Sequence, residues 1–130
     1  MPKVLISDAM DNVAEKILSS NNIEVDVKTD FTPEELIKNI QNYDGLIVRS
    51  ATKVTKEVID NAKNLKIIGR AGAGVDNIDL NSAKAKNIIV MNTPGGNTNA
   101  TAEHTLALLL SLSRKISKAD LTTHKGEWAK

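Results

Sequence analysis

The chain has 130 residues, a net charge of +1, no cysteine, and aromatic residues at only 2%. That length suits one domain with a core of its own, and the near-neutral charge removes any sequence-wide electrostatic case for nucleic acid or an acidic membrane. So few aromatics also argue against a base-stacking surface and leave an aliphatic core, while the lack of cysteine excludes disulfides and thiolate metal sites and leaves the redox compartment open.

The chain passes directly into the apolar run Val4-Leu5-Ile6, with no charged-then-apolar leader, and no apolar run is long enough to span a bilayer. A soluble, cytoplasmic protein is the expectation. Residues 3–6 read as a strand, continuous in Val, Leu and Ile as a strand covered on both faces should be. Asn12 and Glu15 have the spacing of a capping box, ahead of a helix face made by Val13, Ile17 and Leu18. Residues 23–27 alternate as a second strand. Thr32-Pro33-Glu34-Glu35 is a stronger helix start, with Thr as cap, Pro in the first position and Glu in the third; Leu36, Ile37 and Ile40 supply the buried face.

Asp44-Gly45 leads into a third strand over 46–48, and Thr55 caps a short helix carrying Val58, Ile59 and Ala62. A fourth strand over 66–68 and a fifth over 88–91 flank a helix that begins near Asp79 and ends near Asn87. Five strands alternating with helices predict an α/β fold, a doubly wound, flavodoxin-like parallel sheet. From Asn99 a helical pattern runs without a breaker to about Leu121, roughly six turns. Leu106, Leu108, Leu109, Leu110 and Leu112 cover more than one side of it, so it should be buried on several sides. One small sheet cannot cover it all, and the chain reads as a piece of a longer, associating protein.

Ligands of such sheets sit beyond the carboxyl ends of the strands. Three stretches should converge there. The glycine-rich corner 66–77, KIIGRAGAGVDN, carries Gly69, Gly72 and Gly74; a strand, a glycine turn and a helix start in that order make an anion cradle, to which Arg70 adds a positive charge. Arg49-Ser50-Ala51-Thr52-Lys53 follows the third strand and Asn92-Thr93-Pro94-Gly95-Gly96-Asn97 the fifth. A small-acid binding site is the working hypothesis. A lone glycine turn is most often only a turn, and most arginines are ordinary surface residues. Two arginines at strand ends, able to grip carboxylate or phosphate with a guanidinium fork, reverse those odds.

Other readings fail on their residues. Gly72-Ala73-Gly74 is not a dinucleotide fingerprint: position 77 is Asn, no acidic residue follows a second strand at the right distance, and the turn comes late in the sheet. Asp8 follows the first strand as in phosphoryl-accepting receiver domains, but the acid they need after the third strand is replaced by Arg49. His104 is read as helix packing or a solvated side chain, His124 is assigned no role, and Lys53 is as fit to meet an anion as to stay solvated.

Together, VRSATKVT (48–55), GRAGAGVDNID (69–79), VMNTPGGN (90–97) and the following AEHTLALLL resemble the amino-terminal part of a D-isomer-specific 2-hydroxyacid dehydrogenase. RSATKVT points to the phosphoglycerate branch, and the resemblance covers essentially the whole chain. It implies two α/β domains: residues 1–98 as an incomplete substrate-binding domain, and 99–130 as the crossing helix and the start of an NAD-binding domain. It implies that Gly72 and the backbone N–H groups of Ala73, Gly74 and Val75 bind a substrate carboxylate, with Arg49, Ser50, Arg70 and Asn97 holding a phosphorylated end. The implied reaction is NAD-dependent oxidation of 3-phospho-D-glycerate to 3-phosphohydroxypyruvate, on the way to L-serine. Many relatives carry Thr or Ser at position 73, where a hydroxyl can reach the cofactor; Ala73 weakens that contact. The family's NAD fingerprint and its catalytic arginine, glutamate and histidine lie beyond Lys130, so this chain carries no catalytic residue and should be inactive alone, with no cofactor or metal of its own. The remaining alternatives are a stand-alone anion-binding or regulatory module, or the same domain from another D-2-hydroxyacid dehydrogenase. The expected partners are a small phosphorylated 2-hydroxy acid and further copies of the chain, not nucleic acid or membrane.

Overall fold

The computed structural model describes residues 1–128; positions 129 and 130, the end of the segment expected to open a second domain, lie outside the described residues. The chain divides into two compact units, Met1–Gly96 and Asn97–Lys130.

The first unit is a parallel five-stranded sheet in the order β2-β1-β3-β4-β5. Its strands are β1 (Lys3–Ile6), β2 (Glu24–Val27), β3 (Gly45–Val48), β4 (Ile67–Arg70) and β5 (Ile89–Met91). Between them run α1 (Val13–Ser20), α2 (Pro33–Asn39) with a 3-10 turn over Ile40–Asn42, α3 (Lys56–Asn61) and α4 (Leu80–Ala85). The order is that of a flavodoxin-like sheet, as the alternation of strands and helices predicts.

Right-handed crossovers decide which face each helix covers. The path β1-α1-β2 runs one way across the sheet, and every later connection runs back the other way. Helices α2, α3 and α4 therefore share one face. There Leu36, Ile40, Val58, Ile59 and Ala83 close over Leu5, Leu46 and Ile68 in the main core. Strand residues alternate between faces, so Val4 and Ile6 point to the opposite side. They are buried without joining that core. On their side of the sheet, Ile67, Ile89 and Met91 stay exposed. β1 is thus covered on both faces, as its continuous Val-Leu-Ile run predicts, while β4 and β5 are covered on one face only.

Two helix starts follow the sequence closely. Thr32 accepts from the Glu35 N–H while the Glu35 carboxylate accepts from the Thr32 N–H at 2.8 Å, a complete capping box. Thr55 caps α3 through the Val58 N–H. The expected Asn12–Glu15 box does not form. Asn12 already has helical backbone angles (φ −65°, ψ −7°) in place of the extended ones a cap needs, and Asp11 instead accepts the Val13 N–H at 2.9 Å. Nor do Val13 and Ile17 make a buried face; both are exposed, and Leu18 is half-buried.

In the second unit the expected single helix is two: α5 (Thr98–Arg114) and α6 (Ile116–His124). The break is Lys115, in the left-handed region at φ 52°. No glycine or proline announces it. Ser113 turns its hydroxyl back onto the Leu110 carbonyl, which competes with the helical ladder in the turn before the break. Leu106, Leu108, Leu109, Leu110 and Leu112 are all exposed rather than buried. No helix among the described residues is long and apolar enough to cross a membrane.

Candidate functional site

Because the strands are parallel, their carboxyl ends lie along one edge, and the loops leaving β1, β3, β4 and β5 meet there. The organising residue is one the sequence reading set aside. Asp8, two residues past β1, is buried. Its carboxylate accepts the Arg49 N–H at 2.6 Å, the Thr52 N–H at 3.0 Å and the Thr52 hydroxyl at 2.6 Å. A buried charge must be answered by donors, and here the donors are the loop that leaves β3. Burial alone would raise the Asp8 pKa. The Thr52 hydroxyl and the N–H groups of Arg49, Thr52 and Ala51 outweigh it and hold the carboxyl below its ordinary value. The Arg49–Thr52 loop is thereby fixed, and the Arg49 guanidinium reaches back to the Ala9 carbonyl at 3.0 Å. Arg49 and Ser50 remain exposed.

Arg70 closes β4 rather than following it. Its side chain is 12% exposed, with Nη1 2.5 Å from the Asp76 carboxylate and Nε donating to the Arg49 carbonyl at 3.2 Å. The Asp76 carboxyl is correspondingly held below its ordinary value by that hydrogen bond. The glycines around it have a steric reason. A Cβ on Gly72 would lie 3.4 Å from Arg70 Nε, and one on Gly74 would lie 3.1 Å from both Arg70 Nη1 and Asp76 Oδ1. The Gly72-Ala73-Gly74 turn is thus folded against a guanidinium. Among the described residues the N–H groups of Ala73, Gly74 and Val75 find no acceptor, which leaves three adjacent donors at the rim.

Two asparagines tie the loops together. Asn77 donates to the Arg49 carbonyl at 2.8 Å and the Thr52 carbonyl at 2.6 Å, while Val54 and Ile78 form a short parallel bridge behind it. Asn92 donates to the Ala73 carbonyl at 2.7 Å, and the Thr93 N–H to the Gly72 carbonyl at 2.9 Å. Sequence reading missed Asp8, Asn77 and Asn92 as organisers. For Asp8 and Asn92 the one signal was a short polar side chain just past a strand, which is too common to single out; Asn77, seven residues beyond β4, had not even that.

Arg49, Ser50, Arg70, Gly72, Ala73, Gly74 and Val75 therefore share one rim of the first unit. Asn97 belongs to the second unit, where its carbonyl accepts the Thr101 N–H and its side chain makes no capping bond. The helix start expected to complete the cradle does not take part. Asp79 fills the beginning of α4, its carboxylate accepting the Ser82 N–H at 2.9 Å. The cradle is the turn itself plus the arginines. Ala73 presents only a methyl group, so it offers a cofactor no hydroxyl.

Residues 4–126 match the family model for the D-isomer specific 2-hydroxyacid dehydrogenase catalytic domain. The chain is 52% identical over 126 residues to a D-3-phosphoglycerate dehydrogenase of Archaeoglobus fulgidus, covering 97% of this chain and 24% of that protein. It therefore spans about a quarter of the length of the curated relatives it matches. Among solved structures, a protein from Thermus thermophilus aligns with a TM-score of 0.85 at 36% identity, covering 98% of this chain and 42% of that one. An NAD+-bound 3-phosphoglycerate dehydrogenase of Entamoeba histolytica aligns at 0.74 and 36%, covering 85% and 38%. With fold and sequence in agreement, the chain belongs to the D-isomer specific 2-hydroxyacid dehydrogenase family.

Proposed function

We propose that this chain is the substrate-gripping part of an NAD-dependent oxidoreductase that converts 3-phospho-D-glycerate to 3-phosphohydroxypyruvate in L-serine synthesis. The observation that carries this is the rim: three N–H donors without an acceptor among the described residues, at Ala73, Gly74 and Val75, stand beside Arg70 and the loop of Arg49 and Ser50. The D-3-phosphoglycerate dehydrogenases among its relatives support the choice of acid. The turn donors suit a carboxylate, because successive free N–H groups in a turn stabilise an anion without bringing a mobile side chain. Arg49, Ser50 and Arg70 then hold the phosphorylated end. NAD supplies the hydride acceptor from elsewhere in the longer protein, and this chain's contribution is to position the acid.

The test is made in the full-length parent. Arg49→Ala or Arg70→Ala should weaken 3-phosphoglycerate binding by about ten- to a hundredfold, the loss of a charge-assisted hydrogen bond worth roughly 1.5–3 kcal/mol. Lysine should restore only part, since it offers a point charge and no fork. A 2-hydroxy acid without phosphate should be far less affected. Equal losses for both acids would reassign the arginines to the carboxylate, and no loss for either would remove them from the site. Asp76 already occupies Arg70, so an incoming anion competes with it. Asp76→Asn should therefore tighten anion binding.

A further inference from the structure

The loop that leaves β3 is clamped from two sides through the same two residues. Asp8, beyond β1, accepts the N–H groups of Arg49 and Thr52 at 2.6 and 3.0 Å. Asn77, in the loop that leaves β4, donates its amide to the carbonyls of the same pair at 2.8 and 2.6 Å. The two clamps do different things. Asp8 fixes the loop to the end of β1, whereas Asn77 fixes it to the loop that carries the glycine turn. Among the described residues the only other side chain joining those two loops is Arg70, whose Nε reaches the Arg49 carbonyl at 3.2 Å. Asn77 Oδ1, meanwhile, is buried and has no partner among the described residues. Turning the amide over would set that oxygen against two carbonyl oxygens, so its orientation is fixed by what it donates to. A buried acceptor without a partner is costly, and the group it accompanies is the NH2 that holds the loop.

We infer that Asn77 is a positioning residue that sets the span between the Ala73, Gly74 and Val75 donors and the Arg49–Ser50 loop, and with it which phosphorylated acid the grip prefers. The inference rests on the proposed grip and adds its selectivity. A ligand with two anionic ends gains from both only when their separation matches that of the two sites. 3-Phospho-D-glycerate and 2-phospho-D-glycerate carry the same two anionic groups at different spacings. Charge alone does not tell them apart, and a fixed span does. Without the Asn77 amide the loop is still held by Asp8, and Val54 still pairs with the Asn77 and Asp79 backbone. The fold therefore survives, while the Arg49–Thr52 stretch loses its measured distance from the turn.

The test is a titration of the 130-residue chain, wild type and Asn77→Ala, with 3-phospho-D-glycerate, 2-phospho-D-glycerate and D-glycerate, followed by backbone amide NMR. Wild type should prefer the 3-phosphate to the 2-phosphate by about tenfold, the worth of one well-placed charge-assisted hydrogen bond. Asn77→Ala should bring that ratio close to one by weakening the 3-phosphate, since misplacement by about 1 Å is enough to lose such a contact. D-Glycerate should still shift the Ala73, Gly74 and Val75 amides as it does in wild type. A purely structural role would weaken all three ligands together and keep the ratio. Asn77→Ser retains one donor and should give an intermediate ratio; it carries the test if Asn77→Ala loses its β1 and α4 amide dispersion. An unchanged ratio in a folded variant overturns the inference and leaves the grip standing. So does a wild type that binds both phosphate esters alike. A wild type in which neither ester moves the Arg49 and Ser50 amides overturns the grip, and the inference with it.

Discussion

The Asp8 carboxylate accepts both the hydroxyl and the backbone N–H of Thr52, at 2.6 and 3.0 Å, across 44 residues of chain. This pair joins the end of the first strand to the loop after the third. The geometry of Arg49 and Ser50 rests on it.

Replacing Asp8 with Asn keeps the shape but loses the charge and sets an amide group against backbone donors. We expect a loss of roughly 2–3 kcal/mol of stability at neutral pH, since hydrogen bonds to a buried charge are the strong ones. The pH dependence has a fixed sign. The folded carboxyl lies below its ordinary value, so its stabilisation is complete above the unfolded value of 3.8 and is lost as pH falls through the lowered folded one. Denaturant melts of wild type and Asp8→Asn should therefore differ most above about pH 4 and converge in stronger acid. A constant gap across that range would show that the charge is not what matters.

Gly45 opens β3 where its neighbours leave no room. A Cβ there would lie 3.0 Å from Val4 Cγ2 and 3.3 Å from Ile67 Cγ2, both on adjacent strands. Gly45→Ala should cost about 1–3 kcal/mol by overpacking, read as a lower denaturation midpoint with the slope unchanged. Gly69→Ala is the control. Its Cβ would meet only Ile47 Cγ1, at 3.8 Å, an ordinary contact, so its effect should be smaller.

The isolated chain should not oxidise 3-phosphoglycerate with NAD. Its first unit offers a grip for an acid and contains no histidine. The one His–carboxylate pair among the described residues, His124 with Asp120 at 3.3 Å, belongs to α6 in the second unit, so the rim has no such pair to take the hydroxyl proton. A purified preparation free of host dehydrogenase should match the buffer blank in a nicotinamide absorbance assay. Turnover above the blank would place acid–base chemistry in residues assigned here only to binding.

The exposed leucines of α5 should drive association. Leu112 is 80% exposed, and Leu106, Leu108, Leu109 and Leu110 are each near 60%, an apolar surface of the kind that water does not leave open. Sedimentation should show dimers or larger species, and Leu109→Glu with Leu112→Glu should return the chain to a monomer. A wild-type monomer at high concentration that binds no hydrophobic dye would contradict this.

The sequence by itself determined the layering, because local chemistry was enough. Continuous Val-Leu-Ile runs, the Thr32–Glu35 box and the Thr55 cap each act within a few residues, and their alternation leaves little choice but a parallel sheet. The strand ends placed Arg49 and the glycine turn on one rim for the same reason. Tertiary structure decided what those residues touch. That Arg70 is held by Asp76, that Asp8 fixes the Arg49 loop, and that Asp79 closes the start of α4 depend on side chains meeting across loops whose paths no local signal sets. The Lys115 break and the half-covered sheet are of the same kind. Each is settled by competition between a local preference and the partners that packing provides, and only the folded chain holds both sides of that balance.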